Sequence, residues 1–289
     1  VFDYASAFSR NIGWLRPEEQ QCLREKRVAI AGMGGVGGAH LLTLTRLGVG
    51  RFSVADFDTF EIHNFNRQMG ATLSSVGKPK VEVLHQLAQD INPELAVRVF
   101  PEGVTADNLD AFLEGVDLYV DGLDFFAFSA RQRTFEACAQ RNIPVITAAP
   151  LGMGAAVLNF MPGGISFEDY FCWGQKASDE AKALKFLLGL APGRLHFDYL
   201  VEASSVNLRE KRGPSTVMAC QLCAGMAATE ALKILLGRGK VWAAPYSYQF
   251  DAYHTRLVRC WRPGGNRHFL QRIALRIAER RLRKLSDLG

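Results

Sequence analysis

Val28-Ala29-Ile30-Ala31-Gly32-Met33-Gly34-Gly35-Val36-Gly37-Gly38 decides the fold. A short apolar run with a β-branched residue at every second position enters a cluster of glycines. Ala39-His40-Leu41-Leu42-Thr43-Leu44-Thr45-Arg46-Leu47 then takes up helical spacing and stops at Gly48. The pattern reads as strand, tight turn, helix. Glycines in such a turn permit positive φ and let backbone N–H groups approach a phosphate at the positive end of the helix dipole. Gly32, Gly34 and Gly37 fit G-x-G-x-x-G, with Gly35 beside them, a pattern that becomes informative only in context. The context is present. Arg51-Phe52-Ser53-Val54-Ala55 reads as a second strand ending at Asp56, roughly twenty residues or slightly more beyond the first glycine, where this kind of fold places an acid for ribose hydroxyls. The competing reading is a glycine turn kept only for helix–strand packing.

Downstream, Asp56 to Gln68 is too polar for a strand and too aromatic for a linker, which predicts an ordered loop over the strand ends. Gly77-Lys78-Pro79-Lys80 opens a helix from Val81 to Asn92, with Val83, Leu84, Leu87 and Ile91 on one face. Next come a strand at Ala96 to Phe100, a short helix at Asp107 to Leu113, and a strand at Val116 to Asp121 that ends in Gly122-Leu123-Asp124. A helix from about Ser129 to Arg141 leads to a strand at Ile143 to Thr147. Strands alternating with helices imply right-handed crossovers and a mostly parallel sheet. Leu151 to Phe160 and Tyr246 to Trp261 add strands on the far side. The expected class is α/β, a Rossmann-like, mostly parallel sheet with helices on both faces, extended by antiparallel strands.

The expected organisation is an N-terminal arm and helix (1–26), a nucleotide-binding core (27–162), a loop-rich crossover insert with a helical patch at Ala177 to Leu188 (163–215), a completing segment with a long helix at Thr216 to Leu236 (216–263), and a basic C-terminal helix (264–289). A content of 48% hydrophobic and 22% charged residues is ordinary for a globular chain of 289 residues. A net charge of +5 does not by itself argue for nucleic acid. The start at Val1-Phe2-Asp3-Tyr4 does not read as a secretory signal. The apolar run from Ile143 to Met161 is broken by prolines and glycines and does not read as a membrane span. Six cysteines without regular spacing fit a reducing cytoplasm better than a disulfide framework.

The glycine turn, Asp56, the group Asn64, Arg67 and Lys80, and Asp124 all fall at strand ends or in neighbouring loops. Two cations and an amide suit a triphosphate, and an acid at a strand end suits Mg²⁺. For any one of these charges alone, a solvated rim is the simpler reading. Together, Gly32-Met33-Gly34-Gly35-Val36-Gly37, Asp56-Phe57-Asp58, Asn64-Phe65-Asn66-Arg67-Gln68, Gly77-Lys78-Pro79-Lys80 and Asp121-Gly122-Leu123-Asp124 resemble the ThiF/MoeB family, relatives of ubiquitin-activating enzymes. The resemblance covers residues 5 to 160 and, more loosely, Ser215 to Pro263. It implies an enzyme that binds ATP and Mg²⁺ and adenylates a carboxylate, most often the C-terminal glycine of a ubiquitin-like or sulfur-carrier protein. It also implies a homodimer. By the same resemblance Gly35 approaches the phosphates and Asp56 holds the ribose, with Gly32, Gly34, Gly37, Asp58 and Gln68 around them. Asn64, Arg67 and Lys80 hold the phosphates, Asp124 binds Mg²⁺, and Arg10 is the arginine lent to the partner's site.

Several residues depart from the family pattern. Many relatives carry a structural zinc on two C-x-x-C pairs, whereas Cys220-Gln221-Leu222-Cys223 is the single such pair and lies within the long helix. A closed zinc site takes four ligands, so these cysteines read as small core residues and no structural zinc is expected. Phe125 follows Asp124 where many members have asparagine. Cys172, in Tyr170-Phe171-Cys172-Trp173-Gly174, occupies the region in which some relatives form a thioester, but its aromatic neighbours favour burial over activation. His63 and His85 lack partners at metal spacing. Asn266 to Leu285 carries Arg267, Arg272, Arg276, Arg280, Arg281, Arg283 and Lys284, with Leu270, Ile273, Ile277 and Ala278 on another face. This basic amphipathic helix either packs on the domain or meets RNA, an anionic surface or an acidic partner. Activation of a small molecule or tRNA base, and a nucleotide-binding regulator without turnover, stand as alternative functions.

Overall fold

The computed structural model describes residues 1–174, 177–207, 210 and 213–286; the end of the expected 264–289 segment and the side chains of Arg281, Arg283 and Lys284 lie outside the described residues. One eight-stranded sheet forms the centre. Its strands are β1 (Arg27–Ala31), β2 (Arg51–Ala55), β3 (Ala96–Phe100), β4 (Leu118–Asp121), β5 (Val145–Leu151), β6 (Gly154–Phe160), β7 (Tyr246–Asp251) and β8 (Arg256–Trp261), in spatial order 3-2-1-4-5-6-7-8. The first five in that order are parallel and the rest antiparallel. The helices are α1 (Tyr4–Ala7), α2 (Pro17–Glu25), α3 (Gly35–Leu47), α4 (Lys80–Ile91), α5 (Leu109–Leu113), α6 (Phe128–Gln140), α7 (Phe167–Phe171), α8 (Asp179–Leu190), α9 (Val217–Leu235) and α10 (Phe269–Ser286).

The two faces of β1 supply two cores. Val28 and Ile30 pack into a cluster with α3, α4 and α9, while Ala29 and Ala31 face a cluster built from α5, α6, α7 and α8. Burial on both faces is why the parallel strands read as continuous apolar runs, whereas β7 alternates in the sequence and in burial. Strand β1 lies between β2 and β4, so the connections leave it in opposite directions. This is the topological switch point, and open α/β sheets bind ligands outside the carboxyl ends of strands at such a point.

Most expected boundaries fall within a few residues of those observed. Helix α3 begins at Gly35, inside the glycine cluster and ahead of the expected start at Ala39. Strand β5 runs on through Pro150 to Leu151, past the expected end at Thr147. Its pairing with β4 stops at Thr147, so the proline interrupts no ladder on that side. The hairpin into β6 turns through Gly152 at φ +63°. Helix α7 is too short and too aromatic to show a helical period. Helix α9 is apolar and, among the described residues, the one helix long enough by composition to cross a membrane. It packs instead against α3, β5 and β6, with Ala219, Cys223, Ala227 and Ala231 buried at four-residue spacing.

Candidate nucleotide site

The loops after β1 and β4 meet through glycine backbone. Gly32 has φ +84°, and a Cβ there would lie 2.2 Å from the Gly122 carbonyl oxygen. A Cβ on Gly37 would lie 1.7 Å from the Gly32 carbonyl oxygen, and one on Gly122 would lie 2.8 Å from Gly37 Cα. These contacts leave no room for a side chain. Gly34 is different, because the nearest atom to a Cβ there is Gln68 Nε2 at 3.8 Å. The G-x-G-x-x-G pattern thus divides its labour: Gly32 and Gly37 close the fold, while Gly34 leaves the start of α3 open. No side chain caps that helix, so its first N–H groups and its dipole face the open edge, the arrangement that attracts anions.

Asp56, at the end of β2, accepts hydrogen bonds from Met33 N at 2.5 Å and Asp58 N at 2.7 Å. The carboxylate therefore fixes the glycine turn to the following loop. Its burial raises the Asp56 pKa above the usual carboxylate value, opposed by those two backbone bonds. Lys80 opens α4 with only 6% of its surface exposed and its ammonium 2.9 Å from Asp58 Oδ2. An ammonium has three donors, so this ion pair leaves capacity for an anion.

The loop between β2 and α4 brings the remaining residues. Asn64 is buried and its side-chain oxygen accepts from Glu61 N at 2.9 Å, closing the local turn. Gln68 is buried beside Gly34, and its Oε1 has no hydrogen-bond partner among the described residues. Arg67 donates to His63 O at 3.0 Å and Asn66 Oδ1 at 2.9 Å, and its stem passes within 3.6 Å of where a Gly35 Cβ would stand. The Gln68 amide nitrogen and the Arg67 stem thus flank the open helix terminus.

Asp124 lies across the switch point, after β4. Its carboxylate is exposed, with Oδ1 accepting from Phe126 N at 2.9 Å and Oδ2 without a hydrogen-bond partner among the described residues. What holds this loop is a pair that sequence reasoning missed. Asp121 and Arg131 form a buried salt bridge, Nε to Oδ2 at 2.8 Å, and Thr147 Oγ1 donates to the same oxygen at 2.9 Å. The guanidinium also donates to the carbonyls of Leu123, Asp124 and Phe125 at 2.8, 3.0 and 3.1 Å. A signal was available. Phe128, Arg131, Phe135 and Cys138 are all buried on one face of α6, and an arginine at an otherwise apolar helical position requires a buried acceptor.

Other candidates are not brought to this edge. Arg10 is exposed in a short turn at Ser9–Asn11. That turn is pinned to the far end of α3 by Asn11 Nδ2 to Leu47 O at 3.2 Å and by Tyr4 Oη to Gly48 O at 2.5 Å. A helix the length of α3 spans about 20 Å, beyond the reach of one arginine side chain, so Arg10 does not reach the glycine turn of its own chain. Cys172 is half-buried at the end of α7 with φ 53°, and burial raises its thiol pKa. Cys220 and Cys223 are buried in α9, as expected for core residues, and burial raises both thiols. Cys220 is nonetheless close to the turn, its Sγ 3.0 Å from where a Gly35 Cβ would stand.

The ThiF family model matches residues 8–268. The chain belongs to the ThiF family. Among curated ThiF-like relatives, the tRNA threonylcarbamoyladenosine dehydratase of Bacillus subtilis is 37% identical over 150 residues, 52% of this chain and 57% of that protein. The sulfur carrier protein ThiS adenylyltransferase of Escherichia coli is 32% identical over 143 residues, 50% of this chain and 56% of its own. The chain therefore spans about half the length of the curated relatives it matches. Among solved structures, E. coli MccB with ATP aligns with a TM-score of 0.64 at 19% identity, over 88% of this chain and 70% of its own. E. coli TcdA aligns at 0.59 with 21% identity, over 81% and 95%. At these identities the structural likeness establishes the shared α/β fold.

Proposed function

We propose that this ThiF-family chain uses ATP to adenylate a carboxylate and releases pyrophosphate. One observation carries the reading: the open start of α3, the cations Arg67 and Lys80, and the exposed carboxylate of Asp124 occupy one edge of the sheet around its switch point. An attacking carboxylate at the α-phosphorus builds charge on the phosphate oxygens as the bond to pyrophosphate breaks. Fixed cations and helix N–H groups stabilise that charge without reorganising. Asp56 keeps lone pairs for ribose hydroxyls beyond the two it commits to Met33 and Asp58. Asp124 fits a role toward Mg²⁺, which is held by one or two carboxylates together with substrate phosphates. When bound, the ion supplies further neutralisation of the phosphates. Asn64 and Gln68 orient the phosphate loop.

The favoured substrate is the C-terminal glycine of a ubiquitin-like or sulfur-carrier protein, supported by the relatives named as ThiS and molybdopterin-synthase adenylyltransferases. A carboxylate on a modified tRNA base is the second reading, favoured by similarity to the tRNA dehydratase and by the row Arg272, Arg276 and Arg280 on α10. The proposed assembly is a cytoplasmic homodimer in which Arg10 serves the partner's site, since it lies at the wrong end of α3 for its own.

Carboxylate-dependent ATP–pyrophosphate exchange tests the activity, and a regulator without turnover would bind ATP and show none. Calorimetry with ATP and NAD(H) tests the nucleotide; tighter NAD(H) binding overturns the reading. Mixing two inactive mutants, Arg10→Ala and Asp124→Ala, tests the assembly. Heterodimers place both lesions in one site and leave the other intact, so exchange activity returns. Exchange that stays at the level of the separate mutants, with subunit mixing confirmed, rejects the trans-acting arginine.

A further inference from the structure

The Asp124 loop is fastened from outside the nucleotide fold. Arg131 is buried, and removing a guanidinium from water costs several kcal/mol unless its donors are satisfied. Asp121 and three consecutive carbonyls satisfy them. The face of the guanidinium is covered by Phe186 of α8, with Cζ 4.6 Å from the ring centroid. The same ring packs 5.2 Å from Phe125, the residue that follows Asp124. On its other sides Phe186 meets Phe171 at 5.0 Å and Trp173 at 5.7 Å. Phe186 is thus the node at which the aromatic cluster of the 163–215 insert touches both the cation that organises the loop and the loop itself. The carbonyls of residues 123, 124 and 125 all point at one guanidinium, which fixes the backbone on both sides of the Asp124 Cα and turns its carboxylate outward.

We infer that Phe186, acting through Arg131 and Phe125, is a positioning residue for Asp124, so that the crossover insert sets the geometry of the metal- and phosphate-facing edge. The inference rests on the proposed ATP reading for its consequence, but its structural part stands independently.

The test compares Phe186→Leu, Phe186→Tyr and Arg131→Lys with the parent. Leucine keeps apolar bulk and removes the π face, tyrosine restores that face, and lysine keeps charge but cannot reach three carbonyls at once. Amide hydrogen exchange at Phe126 and Ala127, whose N–H groups bond to Asp124, reads the loop directly. Exchange there is expected to rise about tenfold in Phe186→Leu and Arg131→Lys, with the central strands unchanged, and to return toward the parent in Phe186→Tyr. Binding of a non-hydrolysable ATP analogue is expected to weaken about three- to tenfold with Mg²⁺ present, the size of a lost cation–π contact, and to stay within about twofold without it. Unchanged protection at 126 and 127, or exchange raised evenly across the sheet, overturns the coupling. Equal weakening with and without Mg²⁺ overturns the role toward Asp124. A parent that shows no ATP–pyrophosphate exchange would sink the proposed function, while the amide result would still decide whether the insert holds the loop.

Discussion

Two loops face each other across the switch point and are held by opposite means. The turn after β1 is fixed by the absence of side chains: Gly32, Gly37 and Gly122 approach backbone to backbone, and a single Cβ would collide with a carbonyl oxygen. The loop after β4 is fixed by their presence: a buried arginine gathers three carbonyls, and the Phe186 ring braces it from α8. A backbone lock is local and has a sequence signature that can be read by spacing. A side-chain lock depends on residues brought from three elements and has no fixed spacing. The first tolerates no addition. The second tolerates change at the exposed carboxylate it displays, while remaining sensitive at its buried anchor.

The largest expected effect attacks the backbone lock. Gly37→Ala places a Cβ 1.7 Å from the Gly32 carbonyl oxygen, and backbone cannot yield as a flexible side chain can. Destabilisation above about 4 kcal/mol is expected, in the range reserved for disrupted backbone and core, with loss of ATP binding by calorimetry. A variant as stable as the parent in denaturant titration would show that the turn relaxes and would end the contrast.

His40 tests the same helix by pH. It is buried on α3 with neither ring nitrogen paired among the described residues, and burial lowers its pKa to about 4. The unfolded chain takes up this proton near pH 6.5, while the folded chain resists it until about pH 4. Stability contributed by the neutral ring is therefore whole above pH 6.5 and declines as pH falls toward 4, by up to about 3 kcal/mol. His40→Leu should remove that part of the pH dependence in chemical denaturation between pH 7 and 4. An unaltered slope would mean that other groups govern it.

At the second loop the stability and activity effects should separate. Asp124→Ala removes an exposed carboxylate, so the stability change is expected to stay within about 0.5 kcal/mol. ATP–pyrophosphate exchange should fall by about 100-fold or more, the scale of losing a charge-stabilising group. A large loss of stability would make Asp124 part of the lock instead of what the lock displays.

The smallest expected effect sharpens the comparison by ruling out a third kind of fastening. With Cys220 and Cys223 buried in α9, treatment with EDTA in the absence of nucleotide should leave the melting temperature unchanged. Elemental analysis should find no stoichiometric zinc; about one zinc per chain, the occupancy of a closed structural site, would contradict the assignment.

Legibility in the sequence follows the same division. The β1 turn, Asp56, the Gly77–Lys80 helix start and the mostly parallel pairing all come from short-range patterns, in which spacing encodes geometry. Asp124 was legible as a strand-end acid. Its anchor was less so: Arg131 stands out on an otherwise apolar face of α6, but nothing in the spacing names Asp121 as the acceptor it needs. Helix α7 escaped notice because five residues cannot display a helical period. The ion pair of Lys80 with Asp58, and the confinement of Arg10 to the far end of α3, depend on tertiary placement.

The central position of β1 also bears on the order in which the chain is made. Its partner β2 follows closely, and β3 is complete by Phe100, but its other partner, β4, begins only at Leu118. A nascent chain therefore carries the middle strand of the five parallel ones with one edge unpaired, and even after β3 is complete that edge waits about one to four seconds for β4 at synthesis rates of ~5–20 residues per second. Gly122 is made last of the three interlocking glycines, so the crevice does not exist until that edge is closed. Fragments ending near Phe100 would expose a flat, apolar edge of the kind that recruits other chains, and a stalled ribosome there would be a point of vulnerability in the protein's biogenesis.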